Sequence, residues 1–181
     1  MTFSDVKITI LVDNQADDGL FAEHGLSFWI ETEGKRILFD TGQGSALEPN
    51  ARALDVDLGE TDIVVLSHGH FDHTGGIPQV LQHARKTNVY CHPGVVQPRF
   101  SIRDGTPKPV QMQRESMAAI EKLPAQSFHR VSRPVSMSNR IGITGYIPRE
   151  TSYEDTGGPF YLDSEGMRAD PIDDDLAMRG W

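Results

Sequence analysis

Residues 66–76, LSHGHFDHTGG, hold three of the chain's seven histidines within six positions, with an aspartate among them. Neutral imidazole is the commonest nitrogen ligand for zinc, and a carboxylate supplies oxygen. Extended residues at i and i+2 project to the same side, so His68 and His70 can grip one ion from a strand end. Asp72 and His73 follow a change of direction at a helix entrance and face a second ion nearby. The bland alternative is a solvated loop rich in histidine. A single histidine would fit that alternative, but three with an aspartate at this spacing favour a metal loop. Gly69 allows a close backbone turn, and Gly75 and Gly76 let the chain enter a helix without side-chain clash.

The elements around the cluster follow from pattern. Val6 to Val12 (VKITILV) is rich in β-branched residues and predicts a strand. Residues 13–23 form a polar loop. Residues 26–32 and 36–40, joined by a tight turn at Glu33-Gly34-Lys35, predict a hairpin. Residues 45–54 predict a short helix, with Pro49 acceptable only in its first turn. Residues 62–66 (DIVVL) form a continuous apolar run, the mark of a strand buried on both faces. Residues 77–86 predict a helix and 88–92 a strand, which completes a βαβ unit. In open α/β sheets, sites gather at the C-terminal ends of strands, where the cluster lies. Residues 93–111 read as irregular, 113–122 as a helix and 128–147 as two or three short strands. The remainder is polar and acidic.

Composition bounds the function. The chain has 181 residues, 38% hydrophobic and 24% charged, enough for one domain, 1–181, with a real core. Its net charge of −9 argues against general nucleic-acid or anionic-membrane binding. A small-molecule substrate remains compatible, even a phosphorylated one, because a bound metal can reverse the local sign. One cysteine, Cys91, excludes an intrachain disulfide. No basic-then-apolar leader and no apolar run near ~18 residues is visible, so the expectation is a cytoplasmic protein that does not span a membrane.

The H-G-H-F-D-H run resembles the H-x-H-x-D-H motif of the metallo-β-lactamase superfamily, and Phe39-Asp40-Thr41-Gly42 resembles that superfamily's earlier motif. LVDN at 11–14, EHGLS at 23–27, LFDTGQG at 38–44, VVLSHGHFDHTGG at 64–76 and GYIPR at 145–149 narrow the resemblance. They are similar to a subgroup of dihydropterin ribofuranosyl-aminobenzene 5′-phosphate synthase-like hydrolases. The resemblance implies an αββα sandwich, of which this chain would be the N-terminal half to two-thirds. It implies a divalent metal, zinc first with manganese or iron as alternatives, and up to two ions in a complete relative. His68, His70, Asp72 and His73 would be ligands, with Asp72 also orienting an activated water. Asp40 would brace the metal loop without touching metal. Asp13, Asn14, His24 and Ser27 are candidates for the substrate side, with loop and turn chemistry as the equal alternative. The implied substrate is a pterin or phosphorylated small molecule.

In that subgroup, the first of the later ligands follows a strand ending in a Gly-Cys-Ser-His-like turn, and residues 171–178 (PIDDDLAM) look like the lead-in to that strand. The expectation is therefore a chain incomplete at its C-terminus, with activity in doubt; the rival from another class is a non-catalytic remnant. His83, His92 and His129 are expected to be poor substitutes, and the acidic run 173–175 a solvated turn. Strand 62–66 would lack cover and expose an apolar surface prone to self-association.

Overall fold

A two-residue turn at Glu33 and Gly34, both with positive φ (50° and 71°), joins β2 (Ser27–Thr32) to β3 (Lys35–Phe39). Paired positive φ values are the hairpin turn that matches strand twist, which is why a glycine sits second. β1 (Lys7–Val12) pairs antiparallel with β2, Ile8 opposite Ile30 and Ile10 opposite Phe28. β3 then runs parallel to β4 (Ile63–Val65), and β4 parallel to β5 (Asn88–Cys91). With β8 (Phe128–Arg130) they make one mixed sheet in the order β1-β2-β3-β4-β5-β8. This computed structural model describes residues 6–84, 86–151 and 153–180.

Among the described residues, four α-helices accompany these strands: α1 (Leu47–Ala53), α2 (Phe71–Thr74), α3 (Ile77–His83) and α4 (Arg114–Glu121). Pro49 falls in the first turn of α1 and Pro78 in that of α3, where no intrahelical N–H is lost. α3 is shorter than the pattern 77–86 predicts: Ala84 is already extended, and Arg85 lies outside the described residues. Residues 1–5, on which the expectation of no leader partly rests, also lie outside them. Among the described residues, no helix is long and apolar enough to cross a membrane.

The chain divides into two compact units. One comprises 1–66, 71–90 and 113–129; the other comprises 67–70, 91–112 and 130–181. In the second unit, the stretch expected to be irregular holds a short hairpin. β6 (Phe100–Ile102) pairs with β7 (Pro107–Pro109) and, on its other edge, with β11 (Phe160–Tyr161). Pro107 and Pro109 lie on β7, at the edge of this sheet, where a missing donor costs little. A further three-stranded sheet joins β9 (Val135–Ser136), β10 (Ile141–Ile143) and β12 (Met178–Gly180).

Ile63, Val64, Val65 and Leu66 are all buried, so β4 is covered on both faces and the expectation of an uncovered strand there is corrected. Exposed apolar side chains include Ile8 and Ile10 on edge strand β1 and Val6 just before it, each more than half exposed (59%, 53% and 60%).

Candidate metal centre

Two of the four candidate ligands stand in the first unit, behind the end of β3. Asp40 follows that strand with a left-handed φ of 59°, a conformation that Asp tolerates better than most residues. Its N–H donates to the Val65 carbonyl, its own carbonyl accepts from Ser27 Oγ, and its side chain is fully buried. Asp40 Oδ2 lies 2.8 Å from His73 Nδ1. An ionised carboxylate can only accept, so Nδ1 carries a proton; in the neutral imidazole the lone pair is then on Nε2, the tautomer that a metal requires. Thr41 seconds this brace: its N–H and its Oγ1 both donate to the His73 carbonyl, and the same Oγ1 accepts from Gly76 N–H. The Gly75-Gly76 pair is demanded by close approach. A Cβ on Gly75 would lie 2.2 Å from the Gln43 carbonyl oxygen, and one on Gly76 2.4 Å from that of Thr41.

Asp72 is buried on α2, and its Oδ2 lies 3.6 Å from His73 Nε2. Two donors held about 2.0–2.1 Å from one tetrahedral ion lie about 3.3 Å apart, so this pair has the chemistry and roughly the spacing of two ligands of one cation. His24 Nε2 approaches the same Asp72 oxygen at 3.3 Å, while its Nδ1 lies 2.7 Å from Asn14 Oδ1. Asp13 Oδ1 in turn accepts from Asn14 N–H. Asp13, Asn14 and His24 thus form one chain of contacts ending on Asp72. Ser27 does not join them: it is fully buried beneath Asp40, a brace rather than part of an entrance.

The other two candidates stand in the second unit. The His68 and His70 rings meet edge to face with centroids 4.6 Å apart, as the i, i+2 spacing predicts. Ser67 Oγ lies 2.8 Å from His68 Nδ1, and the His70 ring packs on Phe160 at 4.7 Å. Among the described residues, no group of three or more His, Cys, Asp or Glu is arranged to hold a metal.

Two carboxylates that sequence reasoning missed hold the frame. Glu23 is buried and accepts the backbone N–H groups of Gln43, Gly44, Ser45 and Ala46, fixing the loop after Asp40-Thr41-Gly42. Asp174, expected in a solvated turn, is buried. Its Oδ2 accepts Gly69 N–H at 2.8 Å and its Oδ1 accepts from Arg99 Nη2 at 2.6 Å. Arg99 Nε also lies 3.2 Å from Asp170 Oδ2. Burial pushes the Asp170 carboxyl above its ordinary value, against the lowering by Arg99. Acidic residues in a row signal solvent, and only the distant Arg99 reverses that reading.

The remaining histidines have structural work. His92 Nδ1 accepts Gly94 N–H and caps the 3-10 turn Pro93–Val96. His83 pairs with Glu48 at 2.9 Å on the surface. His129 stacks on Tyr90 and meets Asn88 Oδ1 at 3.0 Å.

The fold and this motif are those of a metal-dependent hydrolase class. The metallo-beta-lactamase superfamily model matches residues 20–164, and the chain belongs to that superfamily. It is 33% identical over 179 residues to an uncharacterized protein of Methanocaldococcus jannaschii, covering 94% of this chain and 64% of that one. It is 29% identical over 188 residues to that organism's 7,8-dihydropterin-6-methyl-4-(beta-D-ribofuranosyl)-aminobenzene-5′-phosphate synthase, covering 96% of this chain and 63% of the enzyme. The chain thus spans less than two-thirds of the length of these relatives. A solved structure described as a metal-dependent hydrolase of the beta-lactamase superfamily shares the fold, with a TM-score of 0.70 and 23% identity over 96% of this chain and 60% of that one.

Proposed function

We propose that the chain carries the metal-binding part of a hydrolase that uses divalent metal, zinc first, to cleave a phosphorylated, pterin-like small molecule. His68 and His70 would serve one ion, and Asp72 and His73 a second. The observation that carries this reading is His73: its Nδ1 is tied to buried Asp40, which turns its Nε2 toward Asp72. Bound divalent metal would supply an acidified water and polarise the scissile group. The chain's own residues would do the rest. Asp40 would keep the proton on His73 Nδ1. Asp72 would orient the attacking water through its carboxylate. His24, anchored on Asn14, would stand beside Asp72 where a substrate phosphate could meet its imidazole. The substrate class rests on the likeness to the dihydropterin synthase together with these residues.

The chain's span of less than two-thirds of its relatives favours a second reading, a segment that binds metal without turnover. Hydrolysis of phosphoester and pterin substrates with zinc, manganese or iron separates the two. Metal-dependent turnover that EDTA removes and His68→Ala/His70→Ala abolishes supports the hydrolase. Zinc binding without turnover, under conditions where a full-length relative is active, supports the second reading.

A further inference from the structure

Arg99 is the largest fully buried side chain, a guanidinium 1% exposed between two buried carboxylates in a chain otherwise rich in ordinary apolar core. Desolvating such groups is costly, and well-packed apolar residues often replace buried ion pairs with no loss of stability. What an apolar replacement cannot do is accept a hydrogen bond, and Asp174 accepts one from Gly69, the residue between His68 and His70.

We propose that Asp174, locked in place by Arg99, is the positioning residue for the His68–Gly69–His70 segment; this rests on the reading that the segment binds metal. Asp174 divides its two oxygens: Oδ1 takes Arg99 Nη2 and Oδ2 takes Gly69 N–H. The guanidinium therefore fixes the rotation of the carboxylate that holds the loop. Two residues on, Leu176 N–H donates to the Ser67 carbonyl at 2.8 Å, so residues 174 and 176 hold the segment at 69 and 67. From another side, the 3-10 turn closes on it: a Cβ on Gly69 would lie 2.0 Å from the Val95 carbonyl oxygen. The peptide joining the two histidines is gripped by a charged acceptor and by backbone. Neither grip touches an imidazole. Asp174 acts through the backbone, and a bond to an ionised acceptor is about twice as strong as a neutral one.

Asp170 supplies the control, since it meets the same guanidinium and makes no contact with Gly69; its other oxygen accepts Ile172 N–H. Zinc affinity of the whole chain is measured by chelator competition for the unaltered protein, Asp174→Asn and Asp170→Asn, and Co²⁺ spectra report ligand geometry. Asp174→Asn is expected to weaken zinc by about 10–100-fold, the range for residues that orient ligands, and to shift the Co²⁺ spectrum. Asp170→Asn is expected to leave both unchanged. Equal losses in the two variants, or no loss in Asp174→Asn, overturn the proposal. Hydrogen exchange at Gly69 in the unaltered, metal-free protein gives a readout that survives a misfolded variant: strong protection supports the grip, and exchange as fast as in an open loop overturns it. No zinc binding by the unaltered chain would instead overturn the metal reading beneath it.

Discussion

Two buried carboxylates back the HGHFDH segment, and they are built differently. Asp40 reaches His73 directly from the end of a neighbouring strand, 33 residues earlier, and acts on an imidazole nitrogen. Asp174 lies 105 residues from Gly69, acts on a peptide N–H, and is itself held by an arginine. The first puts a proton on one nitrogen of His73. The second holds the backbone between His68 and His70. A metal loop needs both, because tautomer without position gives a misplaced donor and position without tautomer gives a protonated one.

The largest expected effect falls on the second backing. Arg99→Met would leave Asp170 and Asp174 buried without their cation, and should lower stability by about 3–5 kcal/mol, read from urea unfolding. A loss below about 1 kcal/mol would show that the ion pair is dispensable and the comparison uneven. Glu23→Gln comes next. It replaces an ionised acceptor of four backbone N–H groups with a neutral one, and should cost about 1.5–3 kcal/mol on the same measure. Asp40→Asn should keep the fold and lower zinc affinity by about 10–100-fold, measured by chelator competition. Complete loss of metal from a folded Asp40→Asn protein would make Asp40 a ligand and end the parallel with Asp174. The smallest effect concerns Cys91. Burial pushes its thiol up to about 12, so at pH 8 it stays a thiol. An aromatic disulfide reagent should leave it unmodified in the native protein and modify it after unfolding. Rapid native modification would mean that the second unit opens readily.

The first backing was legible in the sequence and the second was not. Asp40 sits in a short motif at the end of a patterned strand, and family resemblance leads to it. The hairpin, the buried strand Ile63–Val65 and the helix after Gly76 likewise follow from local pattern. Asp174 sits in a run of three aspartates, which locally means solvent, and its partner lies among prolines that locally mean loop. Only the tertiary pairing of Arg99 with Asp174 gives either residue its meaning. Ser27 shows the same limit in reverse: in sequence it stands beside His24-Gly25, yet in the fold it points under Asp40.

The central claim is that this segment binds divalent metal through His68, His70, Asp72 and His73. Metal content after equilibration with zinc, measured side by side on the unaltered chain and on His68→Ala/His70→Ala, tests it most directly. Bound zinc is expected in the unaltered protein and a clear deficit in the double variant, with both folded. Equal zinc in the two proteins would contradict it.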